Sequence, residues 1–350
     1  MTTTLAGPKA LDHPFPDAPA TGQAITVAPG VLWMRLALPL SLDHVNIYAI
    51  EDSDGWFLWD AGMADAPTLE TWEQLLAGPL AGRPVTRLLV THHHPDHVGA
   101  AGWLCARTGA DLLMVKSEFL LTRVRLGGLF ADTETQDRDF YHARGLSGDA
   151  TDGILGRGAT YIETVAPLPA AYTSVRAGDV LRIAGQDWHL RTGGGHSDEM
   201  AMLWNPAARL FLAADQVMEK ITPNIGVWPQ EPSARPLDEF LTSLRALRDE
   251  IPDDSLVLPG HKLPFLGLHQ RIEELLAHHE KVCGKIIAAS ADGPSSVGAL
   301  IPRLFQRELP PHHAGLAFAE TLAHVNTLIA RGNLTHDADP DGKYWLRQVA

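Results

Sequence analysis

Cysteine is nearly missing from this chain. Its 350 residues include two, Cys105 and Cys283, far apart in sequence. That excludes a disulfide framework and a thiolate zinc cluster, which need paired or closely spaced cysteines. Positive charge is also short: 28 Lys and Arg stand against 42 Asp and Glu, a formal net charge of −14. An affinity built mainly on neutralising phosphates does not fit that balance, although a local basic patch would. No apolar run reaches the roughly 18 residues that a membrane-spanning helix needs. The start, MTTTLAGPKALDHPFPDAPATGQ, has no basic segment followed by an apolar core, so it does not read as a secretory signal. What remains is 45% hydrophobic and 20% charged, enough apolar matter for a core, at a length that suits about two domains. The expectation is a soluble cytoplasmic protein that begins with a loose, proline-rich arm over residues 1–22.

Apolar runs rich in β-branched and aromatic residues predict strands at VLWMRLALPL, VNIYAIED and GWFLWDAG. APTLETWEQLLAG has helical spacing and stops on a glycine. The strand RLLV, the helix GAAGWLCARTG and the strand DLLMV follow. Residues 117–165 are long and polar for a connection in an α/β core, and SEFLLTRVRLGGLF and TETQDRDFYHARGL are helical, so a helical insert is predicted there. A second strand series runs DVLRIAG, DWHLRTGGGH, MAMLWNP and RLFLAADQ. A loop over 217–236, the helix LDEFLTSLRALRDE and the strand SLVLPGHK complete it. The chain carries a weak internal echo: WFLWDAG and RLFLAADQ each run a strand into an aspartate, and RLLVTHHH and SLVLPGHK each run the next strand into a histidine. Two such halves set face to face would gather Asp60, residues 92–97, Asp215 and His261 at one edge, because ligands in layered α/β folds collect at the carboxyl ends of strands.

The densest signal is LLVTHHHPDHVGAAGWL, residues 88–104, with four histidines inside six residues. His92 and His94 are two apart, so in an extended segment they point to the same side and His93 points away. Pro95 breaks the strand and delivers Asp96 and His97 at the turn into a helix. Two ligand sets therefore begin here. Imidazole and carboxylate donors suit zinc, and iron and manganese are compatible with them too. His196, after a glycine-rich turn, Asp215 and His261 are the later strand-end donors that would complete the sets: His92, His94 and His196 around one ion, Asp96, His97 and His261 around the other, Asp215 between.

In this order these residues resemble the metallo-β-lactamase-fold hydrolase superfamily. The HxHxDH element His92-x-His94-x-Asp96-His97 carries the resemblance, with His196, Asp215 and His261 behind it and Asp60 in LWDAG matching the first motif. It implies a four-layer αβ/βα sandwich as a catalytic domain over residues 23–265. It also implies two metal ions that share a hydroxide as nucleophile, Asp96 orienting that nucleophile and handling its proton, and Asp60 holding a ligand histidine in one tautomer. GGGHS stands where the family often has Pro-Gly-His, which keeps the tight turn. Asp215 stands where true β-lactamases generally have cysteine or lack a bridging carboxylate, so the glyoxalase II, lactonase and ribonuclease branches are the better match. Residues 266–350, three helices and a turn before a final strand, resemble the small winged-helix-like domain of one branch. Their charges look balanced, without the basic stripe of a nucleic-acid reader.

The expected activity is hydrolysis of a small carbonyl substrate, a thioester, ester or lactone, with two zinc ions. A metal-dependent ribonuclease or phosphodiesterase and a mononuclear iron dioxygenase are the alternatives, and a regulatory module ranks last because the ligand set is complete. Nucleic acid is not the expected partner, no membrane association is expected, and a homodimer is compatible with the sequence. Of the 17 histidines, His278, His279, His312 and His313 are read as solvated surface, His93 as packed near the site, and His189 as structural. The insert and the loop 217–236 are the expected pocket walls.

Overall fold

The computed structural model describes residues 11–39, 42–128, 133–291, 293–305 and 309–349; the side chains of 157–159, 311 and 312 fall outside that description. A seven-stranded sheet runs in chain order: β1 (Ile25–Ala28), β2 (Val31–Ala37), β3 (His44–Glu51), β4 (Trp56–Trp59), β5 (Val85–Leu89), β6 (Asp111–Val115) and β7 (Thr173–Val175). Its first four strands are antiparallel, and from β4 onward the pairing is parallel. Parallel neighbours need a crossover. Helix α1 (Ala66–Ala77) supplies it between β4 and β5, and α2 (Pro95–Val98) and α3 (Ala101–Thr108) between β5 and β6. Asp65 caps α1, accepting from the Thr68 amide at 2.9 Å. Strands β1 and β7, ITVA and TSV, escape the sequence reading because they are too short to show alternation.

The second sheet holds β8 (Val180–Ile183), β9 (Gln186–Gly193), β10 (Met200–Asn205), β11 (Leu210–Ala214) and β12 (Leu256–Pro259), with β11 and β12 parallel and joined over α8 (Pro236–Glu250). Alternation then decides the layers. Trp33, Tyr48, Phe57 and Trp59 of the first sheet meet Trp188, Leu203, Leu212 and Leu258 of the second in one core between the sheets. Their neighbours Met34, Ile47, Leu58 and Leu88 face outward under α1 and α3, and Met202, Phe211 and Val257 face outward under α8. The result is the expected four-layer αβ/βα sandwich. Removing one of these fully buried rings to alanine would cost about 3–5 kcal/mol.

Among the described residues, the insert between β6 and β7 holds the helices α4 (Lys116–Leu126), α5 (Glu134–Ala143), α6 (Asp149–Leu155) and α7 (Arg157–Thr164). Tyr161 of α7 joins the outer core of the first sheet, whereas Phe140, Tyr141 and Ile154 of α5 and α6 join that of the second, so the insert straddles both halves. After β12 come α9 (Leu268–Ser290), α10 (Val297–Leu304) and α11 (Pro311–Ala330), then an antiparallel hairpin of β13 (Leu334–Ala338) and β14 (Tyr344–Gln348). The sequence predicts a turn and one final strand here, and the structure forms a two-stranded hairpin instead. Leu268, Ile272, Phe318 and Leu322 of these helices share a single core with Phe211 and Phe240 of the sandwich.

Two further readings change. Residues 1–10 of the arm lie outside the described residues, but from residue 11 the arm is tethered rather than loose: the Leu266 amide donates to the Asp12 carbonyl at 2.9 Å, and Phe15 packs on the inter-sheet core. His279 is fully buried, not solvated. It falls in helical register with Ile272, Leu275, Cys283 and Ile286, which is the buried face of α9. His278 is exposed and His313 half-buried, and the side chain of His312 lies outside the described residues.

Candidate metal centre

The two sheets are stitched together at one edge. The Asn46 amide donates to the Gly260 carbonyl at 2.7 Å, and the Ala201 amide to the Thr91 carbonyl at 2.9 Å. All seven ligand candidates stand at this edge. Strand β5 ends at Leu89 and hands over to His92 and His94. Pro95 opens α2 at its first position, where a missing N–H costs nothing, and places Asp96 and His97 in that single turn. His196 follows β9, Asp215 follows β11 and His261 follows β12.

Their donor atoms converge in three overlapping groups, His92–His94–His196, Asp96–His97–His261 and His92–His97–Asp215, with all ligand atoms of a group within 4.8 Å of one another. His94 Nδ1 lies 3.0 Å from His92 Nε2 and 2.9 Å from His196 Nε2. Asp215 Oδ2 stands 3.4 Å from His196 Nε2, 3.4 Å from His97 Nε2 and 3.3 Å from His261 Nε2, between the first two groups. Gly260 makes room for it, because a Cβ there would fall onto Asp215 Oδ1. His92, His97, Asp215 and His261 are buried, whereas His94, Asp96 and His196 are half-buried and form the open side.

Four of the five imidazoles are also held at the nitrogen that faces away from the centre. Asp60 Oδ2 accepts from His97 Nδ1 at 2.8 Å and from the Thr91 hydroxyl at 3.0 Å, and Oδ1 accepts from the Thr91 amide at 2.8 Å. With its proton committed to Asp60, the Thr91 hydroxyl accepts from His92 Nδ1 at 2.9 Å. Asp60 therefore orients one histidine of each triad, leaving both Nε2 lone pairs aimed inward. His196 Nδ1 donates to the Asn224 carbonyl at 2.9 Å, and His261 Nδ1 to the His44 carbonyl at 2.7 Å. His93 points away to Glu118, a buried carboxylate on α4. Burial alone would raise Glu118, but hydrogen bonds from His93, Ser197 and the Glu199 amide hold it down to about 2.

The electrostatics of the two triads differ. Burial, then the neighbouring imidazoles, push His92 and His94 well below the usual histidine range, which keeps their lone pairs free. Burial opposes charge on His97 and His261 too, but the carboxylates prevail: Asp215, Asp60 and Asp96 raise His97 well above its usual value, and Asp215 and Asp96 raise His261 to about 9. The carboxylate end thus calls for positive charge, and protons compete with a cation for the same lone pairs. His97 Nε2 and Asp215 Oδ1 are buried without a hydrogen-bond partner among the described residues. Such orphaned atoms, in a set of five imidazoles and two carboxylates, fit divalent metal ions.

Sequence reasoning missed four contributors. Thr91 carries a signal, a polar residue beside the motif; Glu118, in the first turn of α4, carries none, because its partners are distant in sequence. Asn224 and His44 act through main-chain carbonyls, which any residue supplies, so no side-chain signal exists.

Residues 40–261 match the family model for the metallo-beta-lactamase superfamily, and residues 283–349 match that for the metallo-beta-lactamase-like C-terminal domain. The chain belongs to the metallo-beta-lactamase superfamily. It superposes on a beta-lactamase domain protein from Burkholderia ambifaria with a TM-score of 0.90 and 35% identity, over 97% of this chain and 98% of that one. It is 23% identical over 317 residues, 87% of this chain and 94% of the relative, to the probable metallo-hydrolase YqjP of Bacillus subtilis. A 77-residue stretch, 22% of this chain and 27% of the relative, is 38% identical to a hydroxyacylglutathione hydrolase of Albidiferax ferrireducens.

Proposed function

We propose that the protein is a hydrolase with two zinc ions that cleaves a small carbonyl substrate, a thioester, ester or lactone. The observation that carries this reading is the pair of triads, His92–His94–His196 and Asp96–His97–His261, with the Asp215 carboxylate set between. When bound, the ions would lower the pKa of water from about 15.7 toward about 7 and polarise a carbonyl. The chain's own residues do the rest. Thr91, Asp60, Asn224 and His44 fix the ligand rings, so little reorganisation is left for the reaction. His94, Asp96 and His196 line the open side, from which a substrate approaches. Asp96 is the acid on that open side and lies 3.4 Å from His261 Nε2, which suits it to take a proton from the attacking water and return it to the leaving group. The formal charge of −14 favours a small substrate over a polyanion. The short match to a hydroxyacylglutathione hydrolase supports a thioester first.

The test is metal analysis of protein purified without chelator, together with a panel of an acyl-glutathione, an acyl-CoA, a lactone, an aryl ester, a cephalosporin and single-stranded RNA. Two zinc ions per chain and turnover of a carbonyl substrate are expected, with loss of both activity and one ion in His94→Ala. Full occupancy and full activity in that variant would sink the ligand assignment. One iron and no hydrolysis would replace the reading with a redox one, and cleavage of RNA alone with a nuclease.

A further inference from the structure

The two loops that build the first triad are far apart in the chain. His94 and His196 are 102 residues apart and leave different sheets, so no covalent constraint sets their spacing. Glu118 lies between those loops, fully buried, and each of its oxygens serves one of them. Oε2 accepts from the His93 amide at 2.9 Å and from His93 Nδ1 at 2.8 Å, in the loop of His92 and His94. Oε1 accepts from the Ser197 hydroxyl and from the Glu199 amide at 2.9 Å, in the loop of His196. The Tyr161 hydroxyl of α7 donates to the His93 carbonyl at 2.8 Å and holds that loop from the other side.

We propose that Glu118 is a positioning residue of the metal centre: its carboxylate clasps the His92–His94 loop to the His196 loop and so sets the geometry of the first triad. The inference rests on the metal-centre reading above. Chemistry explains why a carboxylate is needed. All four groups that face it are donors, and only an ionised carboxylate is acceptor-only on both oxygens. A glutamine of the same shape must turn its NH2 toward one loop or the other, donor against donor, so half of the clasp fails with almost no change in volume. The helical insert then has a function at its first turn: α4 brings the clasp to the site.

The experiment uses the full chain, stripped of metal. Wild type, Glu118→Gln and Ser197→Ala are titrated with Co(II) while the visible ligand-field spectrum is followed, and zinc affinity is measured against a competing chelator. Melting of the metal-free proteins is recorded beside this. Wild type is expected to take two ions. Glu118→Gln should weaken one of them by about 10–100-fold and change its spectrum while the second stays, the usual scale for partners that orient ligands. Ser197→Ala, which removes one donor of the four, should weaken the same ion less. Two ions of wild-type affinity and spectrum in both variants, whatever their melting temperatures, would overturn the clasp alone. If Glu118→Gln does not fold, wild-type binding in Ser197→Ala overturns it. A wild type that takes no ion overturns the metal-centre reading and the clasp with it.

Discussion

At Asp60 the backbone takes a φ of 64°, a left-handed conformation that a non-glycine residue keeps only when its surroundings enforce it. Ala214, with a φ of 46°, precedes Asp215, and Lys262, with a φ of 69°, follows His261. Strain thus sits where strands hand side chains into the site. Asn tolerates the left-handed region and matches Asp in size, so Asp60→Asn isolates the chemistry. Its amide can satisfy the Thr91 amide through one oxygen, but its NH2 cannot accept from His97 Nδ1. The variant is expected to fold, to lose about 10–100-fold in zinc affinity, and to lose activity with it. Near-UV circular dichroism and chelator competition check this; wild-type affinity would show that Asp60 does not orient His97. At this scale the convergence of His92 and His94 was legible, because a spacing of two in an extended segment fixes a shared direction for them. Glu118 was not legible, because its partners lie 25 and 79 residues away and no local pattern links them.

Between elements, the strand–aspartate–helix–strand–histidine unit was legible twice, and it corresponds to the β4–α1–β5 and β11–α8–β12 units with parallel pairing in each. What the sequence hid is how the loop 217–236 is held. Arg271 of α9 donates through Nε to the Met218 carbonyl at 2.6 Å and through a terminal nitrogen to the Ile221 carbonyl at 3.0 Å. Asn326 of α11 donates to the Ala234 carbonyl at 2.8 Å, and the Val227 amide donates to the Ala319 carbonyl at 3.1 Å. The same loop carries the Asn224 carbonyl that orients His196. The C-terminal helices therefore reach the site through a backbone loop. Arg271→Met keeps the stem and removes the donors, leaving two carbonyls short of partners, at a cost of about 1–3 kcal/mol in a denaturant melt. Zinc affinity should fall as well, because the loop that fixes His196 loosens. A melt shifted as expected with affinity unchanged would limit Arg271 to packing and break the link from the C-terminal helices to the site.

Across the whole molecule, a second titratable cluster lies in the shared core, away from the metal centre. His324 Nδ1 donates to the Glu320 carbonyl at 2.8 Å, so His324 Nε2 accepts from His279 Nδ1 at 3.1 Å, and both rings are neutral and fully buried. Burial, then the neighbouring histidines, push His279 down to about 3, and burial takes His324 down to about 4. Each contributes stability above its unfolded pKa of about 6.5 that is lost as pH falls toward the folded value, because the unfolded chain takes up the protons first. Glu320 works the other way. Burial pushes its carboxyl up to about 7, so between about 4.5 and 7 the folded chain holds a proton that the unfolded chain has released. Two histidines against one carboxylate leave about one net proton taken up on unfolding between roughly pH 4.5 and 6.5, worth on the order of 3 kcal/mol at most over those two units. The metal-free protein is therefore expected to melt at lower temperature at pH 5 than at pH 7. Relative to it, Glu320→Gln should steepen the dependence, since the opposing proton is gone. The double variant His279→Leu, His324→Leu should flatten or reverse it. Melting curves of the three proteins across pH 4.5–7.5 decide the matter: parallel curves would mean that the buried cluster does not titrate in this range and that acid sensitivity arises elsewhere in the chain.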